Sequence, residues 1–348
     1  MSGGTTMGKG FSGKGVGGDP EAWKAIMERM LADAADSLAQ VETVIRREGI
    51  ECHWRMSGRF SGAYTPRHYR EQESKVGTYN ASAGLGTYML PRERQREEIA
   101  SDYYHGGMVV ERTGQLHPAL YYGGLLKAAH RAGAKLCAQC DAEKIERKGS
   151  SGGGGFRVLT SKGPIEAREV VIATNGYTDD LWPKLKRTIV PVYSGIVATE
   201  PIPDDLAKAI FPERSSLYEL GQVTVYYRLD ASNRVLMGGR CRQSDATTPD
   251  QMSFLMRYTH RLWPQLKPFK FTHGWNGQLG VTMDYYPHIH EPADGVLICL
   301  GYNGRGVAMS TAMGLELTRR VMGGKAAGKR GGKGGTAAIK YQIGRAHV

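Results

Sequence analysis

Two short runs of uninterrupted apolar residues, EVVIAT at 169–174 and GVLICL at 295–300, constrain the fold of this 348-residue chain more than any other feature. A strand that alternates apolar and polar residues can leave one face in water. A run of Val, Ile and Leu calls for cover on both faces, as in a parallel or mixed sheet flanked by helices. Each run leads into a glycine-containing turn, ATNGY after the first and GYNGRG after the second, and the second turn opens onto the helical stretch GVAMSTAMGLELTRRV. Its glycines, Gly301, Gly304 and Gly306, are ordered G-x-x-G-x-G. That differs from the G-x-G-x-x-G fingerprint of a dinucleotide pyrophosphate site, so the turn must hold something else.

The rest of the chain supplies partners for these strands. From Glu21 to Glu48, Trp23, Ile26, Met27, Met30, Leu31, Ala34, Leu38, Val41 and Ile45 recur at three-and-four spacing, which predicts a long amphipathic helix ending at Gly49. HYREQESKV and PRERQREEIA read as surface helices. A further helix at 117–133 precedes an expected strand, AKLCAQC, and an extended pair, DAEKIERK and GFRVLT. Helix, strand, hairpin and buried strand in that order make half of a nucleotide-binding α/β domain. Residues 188–290 change character: TIVPVYSGIVAT, QVTVYYRL, RVLMGGR and VTMDYYPHI are aromatic-rich and alternating, as in an antiparallel sheet, with a helix near PDQMSFLMRYTHRLW. The expected fold class is α/β, of mixed α+β character, with two domains interleaved along the chain.

Bulk properties exclude several classes. No apolar run approaches the ~20 residues of a membrane-spanning helix, and the glycine-rich start has no apolar core of a secretory signal, so the cytoplasm is the expected compartment. The net charge is +12, but Lys325, Lys329, Arg330, Lys333, Lys340 and Arg345 sit without an acid in the last 28 residues, so half of the excess lies in one Gly/Lys-rich tail. Specific nucleic-acid binding is therefore not expected. GKGFSG and GKGVGG at the N-terminus match G-x-G-x-x-G literally, yet no buried strand precedes them, and Gly15 stands where a P-loop needs Ser or Thr. The five cysteines do not form a disulfide framework. Cys137-Ala-Gln-Cys140 is formally C-x-x-C, but in an extended segment its side chains point to opposite faces, and both read as core cysteines. His288 and His290 alternate on one strand without a third ligand at useful spacing, so no metal is expected.

RAGAKLCAQCDAEKIER, EVVIATNGYTDDLWPKLKRTIVPVYSGIVATEPI and DYYPHIHEPADGVLICLGYNGRGVAMSTAMG together resemble the FAD-dependent amine and D-amino acid oxidoreductases, the group of glycine oxidase and sarcosine oxidase, and most of all their gamma-glutamylputrescine oxidoreductase branch. The resemblance spans about residues 20–320 and implies an FAD cofactor. It places the backbone of Gly301, Tyr302, Asn303, Gly304, Arg305, Gly306 and Val307 against the flavin ring, where a Cβ would obstruct approach. The following helix would aim its positive N-terminal end at charge developing on the flavin. The same resemblance places Thr174, Asn175 and Gly176 beside the dinucleotide and the main chain of Ala142 at the adenine.

It also implies an FAD-binding domain at 21–49, 101–187 and 291–322 and a substrate domain at 50–100 and 188–290, between a glycine-rich start at 1–20 and a disordered tail at 323–348. The family's opening strand, G-x-G-x-x-G turn and ribose-holding acid find no counterpart. The chain is therefore expected to be an N-terminally truncated fragment with impaired FAD binding, and its terminal IGRAHV reads as a sequencing-library adapter translated in one frame. The implied reaction is oxidation of the C–N bond of a small amine or amino acid by hydride transfer to FAD. The imine is then hydrolysed, with oxygen as the acceptor. Tyr193, Tyr226, Tyr285, Trp275 and His273 are candidates to line the substrate space. The alternatives are an FAD dehydrogenase acting on another small acid and a non-catalytic basic binding protein.

Overall fold

The computed structural model describes residues 20–149, 154–220 and 224–323. The glycine-rich start, apart from Pro20, and the tail beyond Gly323 lie outside them. Numbered along the chain, the largest sheet has eight strands in the order β14 (Phe271–Val281), β10 (Val190–Thr199), β13 (Val235–Arg240), β12 (Thr224–Leu229), β11 (Ser216–Leu220), β2 (Arg59–Gly62), β4 (Gly107–Val110) and β3 (Thr87–Leu90). All neighbours are antiparallel except β11 and β2. Its members come from both ends of the 59–281 stretch, and β4 joins it from the 101–187 segment.

One face of this sheet carries the main core. Phe60, Leu217, Val225, Tyr227, Met237 and Val197 point the same way and are buried with α5 (Asp204–Ile210) and α6 (Ser253–Leu262). On the opposite face, Met108 and Val110 pack with Leu85 and with Val76, Tyr79 and Ala83 of α3 (Val76–Ala83). The preceding helix, α2 (Pro66–Glu73), begins at an N-cap: Thr65 is extended and its Oγ1 accepts from the His68 amide at 3.1 Å, with proline at the first helical position. Thr65→Ala should cost about 1 kcal/mol, read as a fall of about 2 °C in the thermal midpoint.

The second layer is built on a three-stranded sheet, β15 (His288–Ala293), β16 (Val296–Leu300) and β9 (Val170–Ile172), in which β9 and β16 run parallel. β16 is buried along its length. Leu297 and Cys299 face α1 (Pro20–Glu48) and α7 (Gly306–Gly323), while Val296, Ile298 and Leu300 face Phe156, Ile172, Leu185 and Ile189. The helical periodicity of α1 puts Met30, Ala34, Leu38, Val41 and Ile45 inward. The helix ends at Gly49, whose φ of 62° is the left-handed conformation glycine adopts most readily.

A separate meander, β6 (Ala142–Arg147), β7 (Phe156–Thr160) and β8 (Gly163–Ala167), stands beside this layer, α4 (Pro118–Arg131) leads toward it, and β1 (Arg55–Met56) pairs with β5 (Gly114–Gln115). Among the described residues no helix is long and apolar enough to cross a membrane.

Several expectations are corrected. The EVVIAT run is not covered on both faces: β9 lies at the sheet edge, and Val171, in register with the buried Leu297, is 45% exposed. The helices that cover Leu297 do not extend over that edge. AKLCAQC forms no strand; it leaves α4 through Gly133 in irregular backbone, and Cys137 is exposed and Cys140 half-buried rather than core. Most of VTMDYYPHI, residues 282–287, is a turn between β14 and β15, with Tyr285 at a φ of 60°. PRERQREEIA holds a 3-10 helix over Arg92–Glu97. Pro20 and Gly323 are the terminal residues of α1 and α7 rather than parts of the flanking segments.

Candidate functional site

The parallel strands β9 and β16 end side by side, and their following turns meet. Ligands of open α/β sheets bind at such carboxyl ends. Asn175 takes a φ of 43° and its Oδ1 accepts from the Gly301 amide at 3.0 Å, which ties ATNGY to GYNGRG across more than a hundred residues of chain. Gly176 is demanded by packing, because a Cβ there would lie 2.6 Å from the Gln278 carbonyl oxygen of β14. Thr174 is spent on Thr178, hydroxyl to hydroxyl at 2.8 Å. Asn303, at a φ of 52°, donates its amide to the Gly280 carbonyl at 3.2 Å, accepts the Thr282 amide on Oδ1 at 2.9 Å and donates through Nδ2 to the Gly301 carbonyl. The two asparagines thus fasten both turns to the end of β14.

The side chains of Tyr302 and Val307 point away from the open surface of the second turn. Tyr302 is buried among Met30, Met309 and Met313, and its hydroxyl donates to Cys299 Sγ at 3.2 Å; burial holds its phenol well above the usual range. Arg305 donates from Nη2 to the Tyr285 carbonyl at 2.7 Å. Val307 packs beside Val41 and Ile45. What remains open is backbone. Gly301 and Gly304 need glycine for their φ of 80° and 84°, and a Cβ on Gly301 would also lie 2.4 Å from Thr282 Cγ2.

Gly306 differs from both. It has no positive φ, and a Cβ there would meet nothing nearer than 3.8 Å. The protein's own packing does not require a glycine at this position. It begins α7, whose first amides have no partner within the helix; the Met309 amide, bonded to the Arg305 carbonyl at 3.2 Å, is the first to be satisfied.

The open turn faces the large sheet. Leu279 Cδ1 lies 3.7 Å from where a Cβ of Gly304 would be. Leu279 is paired with Val192, and along that same face of the sheet run Trp275, Ile196, Gly238, Tyr226, Tyr218 and Ser61 in mutual register. Tyr226 hydrogen-bonds Ser194 Oγ at 2.8 Å, and the buried Arg59 guanidinium sits 5.9 Å from the centre of the Tyr218 ring. Burial pushes the Tyr218 phenol up, while the charges of Arg59 and Arg305 pull it back down.

Of the five residues expected to line the substrate space, Tyr226, Trp275 and His273 are on this face. Tyr193 is on the other, its hydroxyl donating to Asp245 at 3.0 Å and accepting from Gln278 Nε2 at 2.7 Å. Tyr285 lies in the turn after β14. Ala142 begins the separate meander, where it pairs with Thr160. Tyr218 and Arg59 escaped the sequence reading; the alternation of SLYEL and of RFSG was the available signal.

Residues 8–320 match the model of the DAO family, described as FAD dependent oxidoreductase. The chain is 28% identical over 327 residues to the "Probable oxidoreductase OrdL" of Haemophilus influenzae, covering 89% of this chain and 73% of that one. It is 25% identical over 280 residues to the gamma-glutamylputrescine oxidoreductase of Escherichia coli, covering 80% and 64%. It spans between half and three quarters of the length of the curated relatives it matches. Among solved structures, glycine oxidase from Geobacillus kaustophilus superposes with a TM-score of 0.70 at 20% identity, covering 83% of this chain and 78% of that one. L-proline dehydrogenase from P. horikoshii gives 0.71 at 19% identity, covering 84% and 79%. With a family model matched over nearly its whole described length and the same fold in solved relatives, this chain belongs to the DAO family of FAD-dependent oxidoreductases.

Proposed function

We propose that the protein oxidises the C–N bond of a small amine or amino acid, with the flavin of FAD lying between the Gly301–Val307 turn and the Tyr218–Tyr226 face of the large sheet. The observation that carries this reading is Gly306: a glycine that neither backbone conformation nor protein packing demands, at an open helix N-terminus facing an aromatic sheet face. A planar group seated there would occupy the volume a side chain would otherwise fill. Bound FAD supplies the two-electron acceptor for the hydride of the carbon bearing nitrogen, leaving an imine that water hydrolyses, with oxygen as the final acceptor.

The chain's own residues do the rest. The backbone amides at the start of α7 present donors and the positive end of the helix dipole to developing negative charge. Asn175 and Asn303 keep both turns fixed against β14. Tyr218, Tyr226 and Trp275 offer an apolar wall that excludes water, and Arg59 gives one end of it a positive charge suited to a substrate carboxylate. In this reading the elements around β9, β16, α1 and α7 form the cofactor side, the eight-stranded sheet forms the substrate side, and the protein works in the cytoplasm. The main chains of Thr174–Gly176 and Ala142 are assigned to the dinucleotide half.

The test is anaerobic reduction of the FAD-loaded protein by a panel that includes amino acids, N-methylated amino acids and gamma-glutamylputrescine. Bleaching of the flavin band by at least one amine is expected. If dithionite bleaches the flavin while no amine or amino acid does, the reading fails.

A further inference from the structure

The C-x-x-C segment Cys137-Ala-Gln-Cys140 takes no part in the site above, and its geometry invites a role of its own. A strand would have turned the two thiols to opposite faces. Instead the backbone bends at Ala138 and Gln139, where Gln139 adopts a φ of 51°, and the two thiols are in hydrogen-bonding contact at the surface.

The bend is held from the neighbouring meander. Lys162 Nζ donates to the Ala138 carbonyl at 2.8 Å, and the Asp141 amide donates to Ser161 Oγ at 3.0 Å. The Thr160 hydroxyl lies beside the Cys140 sulfur and donates to the Gly163 carbonyl at 2.6 Å, and the Lys162 ammonium lies close to both thiols. The other cysteines have different surroundings. Cys52 and Cys299 are buried, which pushes their thiols up, and Cys241 is half-buried, with its thiol 3.5 Å from the Arg242 carbonyl.

We propose that Cys137 and Cys140 form a thiol–disulfide site that reacts with hydroperoxides, Cys140 being the attacking sulfur and Cys137 the resolving one. Beside the Thr160 hydroxyl, the Cys137 sulfur and the Lys162 ammonium, the Cys140 thiol is held below its ordinary range, and the Cys140 sulfur raises its neighbour: Cys137 keeps its proton. The Cys140 thiolate attacks one oxygen of the peroxide, the O–O bond breaks, and the departing hydroxide leaves as water after taking a proton, giving a sulfenic acid on Cys140. The sulfur of Cys137 then attacks the sulfenic sulfur, losing its proton and expelling a second water as the S–S bond forms. Overall, two thiols are oxidised and one hydrogen peroxide is reduced to two waters. Contact between the sulfurs before reaction removes the need for backbone rearrangement, which is the usual barrier to closing a disulfide between neighbours in sequence.

The experiment uses the reduced full chain, exposed to limiting hydrogen peroxide, quenched with a thiol-alkylating reagent and mapped by peptide mass. The expected product is the peptide carrying both cysteines with two hydrogens lost and neither sulfur alkylated, formed several-fold faster than any oxidised form of Cys241. In Cys137→Ser the sulfenic acid of Cys140 should persist and be trapped by dimedone. In Cys140→Ser trapping at Cys137 should be several-fold slower, with circular dichroism unchanged in both, since neither side chain is fully buried. Oxidation of Cys241 ahead of the pair, or equal trapping at Cys137 and Cys140 in the two variants, would overturn the proposal.

Discussion

Gly306→Val should leave the protein folded and weaken its binding of FAD by about ten-fold or more, an overlap penalty of about 1–3 kcal/mol. Beyond its chain neighbours and the backbone of its own helix, an added Cβ meets no protein atom nearer than Tyr302 Cδ2 at 3.8 Å, and a first-turn position with ordinary φ accepts a β-branched residue. The main cost of the extra methyls is therefore expected from a ligand that occupies the space. Fluorescence titration of FAD reads the affinity and thermal denaturation reads the fold.

Gly304→Val provides the contrast. At a φ of 84° a side chain is strained whatever surrounds it, so that variant should lose about 1–2 kcal/mol of stability in addition to any effect on the flavin. Arg305→Ala should act more mildly on binding, because the guanidinium is engaged by the Tyr285 carbonyl. If Gly306→Val bound FAD as the parent does, the turn would be a plain strand-to-helix connection.

Glu219→Leu should destabilise the large sheet by about 3 kcal/mol or more. Glu219 is 1% exposed, on the face of β11 opposite Tyr218, and accepts hydrogen bonds from the hydroxyls of Tyr104 and Tyr258, with Tyr64 also bonded to it. Tyr104 in turn bonds Tyr227. Leucine fills a similar volume but leaves buried phenol donors without an acceptor, and each such donor costs about 1–3 kcal/mol.

The carboxyl itself carries a pH signature. Burial raises it above its unfolded value of 4.5, outweighing the tyrosine hydrogen bonds and Arg261, which lower it. The cost of ionising it inside the fold is absent below the unfolded value, grows as pH rises from there through the raised folded value, and is constant above it. Unfolding free energies measured across that window should therefore show the parent losing stability relative to Glu219→Gln as pH rises. A difference between the two proteins that did not vary with pH would contradict a burial-raised carboxyl.

The parts of this molecule legible in its sequence are those fixed by short-range physics. The three-and-four spacing of α1 and the all-apolar β16 each follow from a few consecutive residues, and each stands in the structure as read. So does the glycine turn after β16, since φ values of 80° and 84° at Gly301 and Gly304 are a local demand.

What depended on distant partners was not legible. EVVIAT and GVLICL look alike as sequences, yet one is a sheet edge and the other a sheet centre, because a strand's cover is decided by which elements arrive beside it. AKLCAQC has the composition of a strand, but without a neighbour to hydrogen-bond it bends and brings its two thiols together.

Register decided the site. Tyr193 and Tyr226 are equally aromatic residues on equally alternating strands, and only the pairing of β10, β12 and β13 sends Tyr226 toward the glycine turn and Tyr193 away from it. The sequence alone determined the family, the class of fold and the glycine turn after β16. The tertiary structure alone determined which side chains face that backbone, because strand pairing joins residues whose separation along the chain carries no local signal.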